Sequence, residues 1–176
     1  AIKAFTGRNG GTVCTSSNAK TALKWAFDRG EKVLFLPDQH LGRNTAVREM
    51  GFSLAECAIF DPWKPQGGLT DAEIAAAKML LWKGHCSVHG RFTLASVNEI
   101  RDRIPDVNIL VHPECPYEVA EAADYVGSTE RIIKIIEGAP SGSSWAIGTE
   151  LNLVKRLAHA HPDKNIHFLD KSVCYC

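Results

Sequence analysis

Val107-Asn108-Ile109-Leu110-Val111-His112-Pro113-Glu114 is the stretch on which the reading of this chain turns. Its apolar residues occupy adjacent positions instead of alternating. That pattern belongs to a strand buried on both faces, as in a parallel sheet covered by helices. Pro113 has no N–H to give a ladder, so the strand stops there and delivers His112 and Glu114 at its carboxyl end. Lys32-Val33-Leu34-Phe35-Leu36-Pro37-Asp38 and Asn165-Ile166-His167-Phe168-Leu169-Asp170 repeat the pattern, and Ser144-Trp145-Ala146-Ile147-Gly148 is a weaker copy. Helical periodicity fills the intervals: Asn18 to Arg29, Asp71 to Leu81, Leu94 to Ile104, Tyr117 to Ala123, Glu130 to Glu137 and Glu150 to His159. Strand–helix alternation of this kind predicts an α/β fold with short parallel sheets between helix layers.

The 176 residues are 45% hydrophobic and 23% charged, with Lys+Arg and Asp+Glu equal at 20 each. A neutral chain lacks the basic footprint of a nucleic-acid binder. No apolar run approaches the ~20 residues of a membrane span. The length suits two units of about 90 residues, and the second strand–helix series begins after Cys86–Phe92. We therefore expect units 1–88 and 89–176. Asp61-Pro62-Trp63-Lys64-Pro65-Gln66-Gly67-Gly68 breaks both periodicities and reads as a linker or lid. No signal-peptide h-region opens the sequence, and it stops on Cys174-Tyr175-Cys176. A fragment of a longer, intracellular protein is the expectation, with metal chemistry ahead of a disulfide framework.

Four of the chemistry-bearing residues lie in two pairs, Cys86-x-x-His89 and His112-x-x-Cys115. Thiolate and imidazole are strong ligands for borderline metals, and the internal spacing of each pair suits zinc. Equally open is the reading of His112 as a satisfied core histidine and Cys115 as an inert buried thiol. Glu114, inside the second pair, adds a carboxylate that a structural metal site does not need and an acid/base site does. Cys174-x-Cys176 after the last strand is a further thiolate pair. Cys57 lies in an apolar context and reads as core; Cys14 reads as packing.

Hydroxyl clusters at Thr15-Ser16-Ser17-Asn18 and Gly127-Ser128-Thr129 each precede a helix, where a strand is expected to end. Free N–H groups and hydroxyls there suit phosphate or carboxylate; helix capping is the plain alternative. Thr149 reads as a cap, with Glu150 in the first helical turn. A phosphate-binding module with bystander cysteines is one reading of these features.

Taken together, Val13-Cys14-Thr15-Ser16-Ser17-Asn18-Ala19, Pro37-Asp38-Gln39-His40-Leu41-Gly42-Arg43-Asn44, Gly84-His85-Cys86-Ser87-Val88-His89, His112-Pro113-Glu114-Cys115, Gly127-Ser128-Thr129, Ile147-Gly148-Thr149-Glu150 and Cys174-Tyr175-Cys176 resemble the quinolinate synthase family. The resemblance implies two three-layer doubly wound α/β units, the middle and last of three domains about a pseudo-threefold axis. It implies strand carboxyl ends facing a common cleft and a 4Fe–4S cluster with one iron left open. Cys86 and Cys174 would be cluster ligands, with Cys176 in reserve; Cys115 would not be one. Glu114 and His112 would be catalytic, and His89, Ser16, Ser128, Thr129 and Thr149 would bind substrate. The implied reaction condenses iminoaspartate with dihydroxyacetone phosphate to quinolinate in cytoplasmic NAD biosynthesis, in functional partnership with L-aspartate oxidase. The first domain of the family, with its own cluster cysteine, and a catalytic tyrosine upstream of Ala1 are not in this sequence. The alternative is a non-catalytic zinc-binding α/β module using Cys86, His89, His112 and Cys115.

Overall fold

Val107–Glu114 supplies the central strand of a four-stranded parallel sheet, and the rest of its unit is arranged around it. The structure is a computed structural model that describes residues 1–170. It divides into two compact units, Ala1–His85 and a second starting at Cys86. That boundary falls just ahead of residues 88/89 and puts Cys86 at the head of the second unit.

In the second unit the chain runs α5 (Leu94–Arg103), β4 (Asn108–Val111), α6 (Tyr117–Ala122), β5 (Tyr125–Val126), α7 (Thr129–Gly138), β6 (Ser144–Gly148), α8 (Leu151–Ala160) and β7 (Asn165–Phe168). Strand order is β5-β4-β6-β7, all parallel. Side chains of a strand alternate between faces, and the core obeys this. Ile109, Val111 and Ala146 join Val97, Ile100, Val119 and Ala120 of α5 and α6. Leu110, Trp145 and Ile147 join Ile132, Ile136, Leu153 and Leu157 of α7 and α8. The sheet is thus the middle of three layers. From β4 the chain steps one way to β5 and then crosses back to β6 on the other side. The reversal makes the carboxyl ends of β4 and β6 a topological switch point, where open α/β sheets bind ligands.

The first unit holds α1 (Ile2–Arg8), α2 (Ala19–Phe27), β1 (Val33–Phe35), α3 (Gln39–Asn44), β2 (Cys57–Phe60), α4 (Asp71–Ala76) and β3 (Met79–Trp82). Its strand order is β1-β3-β2, again parallel. A wider π-type turn, Thr45–Glu49, continues α3. Phe35, Cys57, Met79 and Leu81 pack with Leu23 and Leu41.

Three local expectations change. The helix read over Asp71–Leu81 ends at Ala76, and Met79–Trp82 becomes the central strand of the sheet. Alanine-rich sequence favours helix, but two flanking strands and a buried face outweigh that preference. Among the described residues no strand leads into Thr15–Asn18, because residues 11–15 are irregular and Val13 is exposed. The Asp61–Gly68 segment is a tight loop inside the first unit, not a linker. Asp61 N donates to Gly67 O (2.9 Å), Gly67 N to Lys64 O (3.0 Å), and Gln66, Gly67 and Gly68 take positive φ. Among the described residues no helix is long and apolar enough to cross a membrane.

Candidate functional site

The β4–β6 register sets Val111 beside Gly148, and the pairing runs one step further as His112 N donates to Gly148 O at 3.0 Å. A Cβ on Gly148 would come within 2.9 Å of side-chain methyls of both Val111 and Leu169, so a larger residue there would displace them. Beyond the ladder the two strands release His112, Glu114 and Thr149 together at the switch point. A single turn of 3-10 helix, His89–Arg91, carries a second imidazole to them.

His89 is the centre of the cluster. Its Nδ1 lies 3.0 Å from Glu114 Oε2 and its Nε2 3.2 Å from Thr149 Oγ1. Its ring stacks on His112 at 4.2 Å between centroids, 11° from parallel. Glu114 N donates to His112 Nδ1 at 3.3 Å. Cys86 Sγ, a His89 ring nitrogen and a Glu114 oxygen all lie within 4.8 Å of one another. His89, His112 and Thr149 are buried, while Cys86 and Glu114 are half-buried.

The electrostatics follow from this packing. Burial, reinforced by the facing His89, pushes His112 down to about 4 against the opposing pull of Glu114. The ring is therefore neutral at neutral pH, as its acceptor role at Nδ1 requires. The hydrogen bond from His89 holds the Glu114 carboxyl below the usual carboxylate range. Both neighbouring imidazoles and a hydrogen bond from the Cys86 thiol act the same way, and burial opposes them. An ionised carboxylate, two imidazoles and an accessible thiol can move protons or bind a metal.

The four-ligand zinc set is not assembled. Cys115 is fully buried in the core formed with Phe92 and Val111, and its thiol donates to Gly148 O at 3.6 Å. Among the described residues the converging donors are Cys86, His89 and Glu114. The two readings of the His-x-x-Cys pair thus resolve in favour of a core thiol.

Other sequence candidates fall elsewhere. Ser128 caps α7, accepting from Arg131 N at 3.5 Å at the carboxyl end of β5, and Thr129 opens that helix. Glu150, not Thr149, caps α8, accepting from Asn152 N (2.8 Å) and Leu153 N (3.0 Å). The longer carboxylate reaches back to the helix and leaves Thr149 to His89. Ser16 is half-buried in a turn of the first unit, where Asn18 Oδ1 accepts from Thr15 N at 2.8 Å. Cys57 is buried with its thiol pushed up by burial, and Cys14 packs against the same core. Cys174 and Cys176 lie outside the described residues.

The model of the quinolinate synthetase A protein family matches residues 1–176. The chain belongs to this family. Similar proteins include the quinolinate synthases of Streptomyces coelicolor (69% identical over 177 residues), Nocardioides sp. (66% over 181) and Corynebacterium glutamicum (54% over 176). The alignments cover 99%, 99% and 100% of this chain, but 45%, 46% and 44% of those relatives. The chain thus spans under half the length of the curated family members it matches.

An iron–sulfur cluster is held by cysteine thiolates. Among the described cysteines, Cys86 is the one whose sulfur joins other ligating groups at the sheet edge, while Cys14, Cys57 and Cys115 pack in or against the cores. That donor chemistry would suit Cys86 as one thiolate ligand of such a group.

Proposed function

We propose that this chain supplies two α/β units of a quinolinate synthase, which condenses iminoaspartate with dihydroxyacetone phosphate and releases phosphate and water. The observation that carries the reading is the family match over residues 1–176. The titratable cluster at the switch point supports it, because condensation, tautomerisation and dehydration each need protons moved at fixed positions. L-aspartate oxidase is the proposed source of the iminoaspartate, and the cytoplasm the proposed setting.

Cys86 and Cys174, with Cys176 in reserve, are the residues of this chain that would hold a 4Fe–4S cluster; a third thiolate is expected from the part of the relatives this chain does not span. When bound, such a cluster supplies an open iron site that acts as a Lewis acid. Glu114, ionised and tied to His89, is the proposed acid/base. Neutral His112, with Nδ1 occupied by the Glu114 N–H, carries its own proton on Nε2 and donates it as a hydrogen bond. Ser16, Ser128 and Thr129 are proposed for substrate carboxylate or phosphate, with the α7 N-terminus adding its partial positive charge. His89 and Thr149 stand beside Glu114 in the switch-point cluster and are proposed to face substrate there.

The test uses the full-length protein, purified without oxygen. Quinolinate is measured from dihydroxyacetone phosphate and iminoaspartate delivered by L-aspartate oxidase, beside iron and sulfide content. A brown, iron-loaded protein that forms quinolinate is the expected result. A colourless zinc protein, or an iron-loaded protein without turnover, would sink the reading.

A further inference from the structure

Taking β4 out of the second unit would leave something very like the first. β5 pairs with β4 alone, and α6 buries Val119 and Ala120 in the core that β4 shares. Without β4, β5 would lose its ladder, α6 its seat and β6 one paired edge. The first unit shows all three conditions. Residues 11–15 are irregular and Val13 is exposed. α1 buries none of its residues. Among the described residues β1 pairs with β3 only, and Leu34 in the middle of this apolar edge is 51% exposed. Chain order agrees: α6, β5, α7, β6 and α8 in one unit follow the same course as α1, residues 11–15, α2, β1 and α3 in the other. Hydroxyls precede α2 as they precede α7, and Asp38 caps α3 as Glu150 caps α8.

A groove of about 560 Å³ lies where the counterpart of β4 would run, lined by Ile2, Val13, Cys14, Leu34 and Phe35 among others. Val33 N donates to Lys78 O at 2.9 Å, toward β3. Backbone groups alternate in direction along a strand, so Leu34 turns its N–H and C=O to the groove. A long apolar edge with open backbone groups is a template for another strand. We propose that the groove seats a parallel β-strand of the full-length protein, supplied by the segment immediately before Ala1. The relatives have the length for it, since this chain covers only 45%, 46% and 44% of them. A strand there would be followed by α1 as its crossover and by residues 11–15 as the next parallel strand, the ordinary βαβ course. It would lie between residues 12–14 and β1 as β4 lies between β5 and β6. Ser16 would then follow a paired strand, as Ser128 follows β5, at a second topological switch point. Only that consequence for Ser16 rests on the proposed function; the pairing follows from the groove and the edge.

The experiment uses the full-length protein. Residue-resolved amide hydrogen exchange on the unsubstituted protein should show Val13 and Leu34 exchanging about as slowly as Val126 and Leu110. That is roughly a hundredfold or more slower than an unpaired edge allows. A photoreactive benzoylphenylalanine in place of Val13 should then cross-link, within one chain, to a peptide that precedes Ala1. Mixing ¹⁴N and ¹⁵N protein before irradiation separates links within a chain from links between copies. Rapid exchange at Leu34 overturns the proposal, whether or not the substituted protein folds. A cross-link to a second copy, or to the part of the protein that follows Cys176, overturns it as well. Slow exchange and the expected cross-link in a protein that makes no quinolinate would remove the functional reading and leave the pairing standing.

Discussion

The two units turn polar side chains out at the same edge of the same kind of sheet and use them differently. In the first unit, Asp38 follows β1 and accepts from Leu41 N at 2.8 Å, capping α3. Asp61 follows β2, accepts from Trp63 N at 3.1 Å and pairs with Lys83 Nζ at 2.8 Å. There Asp38 serves as a helix cap and Asp61 as half of an ion pair. In the second unit, Glu114 meets two imidazoles and a thiol. A carboxylate at a strand end thus caps a helix in one unit and joins a cluster of imidazole and thiol groups in the other.

The sharpest way to break this contrast is at the thiol. Cys86→Ser in the full-length protein should abolish the brown chromophore and quinolinate formation, whereas Cys57→Ser and Cys115→Ser, altering core thiols, should retain the visible absorbance. Chromophore retained in Cys86→Ser, or lost in Cys115→Ser, would reverse the division between edge and core.

The carboxylate comes next. Glu114→Gln should keep iron content and lower turnover by about 10²–10⁴, the usual worth of a positioned acid/base. Iron quantitation and quinolinate assay on one preparation check this. Loss of iron together with rate would make Glu114 structural.

A smaller effect concerns acid stability. His112 titrates near 4 in the fold and near 6.5 unfolded, so between those values the unfolded chain binds more protons. Stability should be full above about pH 6.5 and fall as pH drops toward 4, by no more than about 3–4 kcal/mol from this residue. Glu114, also shifted down, extends the loss to lower pH. Thermal midpoints of the iron-free protein across this window measure it, and His112→Gln should flatten the upper part of the curve. An unchanged slope in that variant would assign the acid sensitivity to other groups.

The smallest effect belongs to the first unit. Asp38→Ala removes the α3 cap and should cost about 0.5–2 kcal/mol with no change in slope over the His112 window. Denaturant midpoints at two pH values separate this from the behaviour of the second unit.

Much of the second unit was legible because its signals are local. Val107–Val111 is apolar on both faces, Pro113 ends it, and α7 and α8 show helical apolar spacing. Met79–Trp82 was misread because four residues cannot distinguish strand from helix by periodicity when alanines precede them. The decision came from β1 and β2, which lie far away in sequence. Thr149 was misassigned as a cap for a similar reason: its partner, His89, lies 60 residues earlier.

The sequence by itself determined which chemical groups stand at the strand ends, because runs of apolar residues and the prolines and glycines that stop them act over a few residues. It determined the family as well, through motifs spread along the whole chain. Only the tertiary structure decided that Glu114 binds His89 from 25 residues away, that Cys115 turns into the core while Cys86 joins the cluster, and that the two histidines stack. Those outcomes depend on a parallel register that sets Val111 against Gly148, and a register is a relation between distant segments that neither one encodes alone.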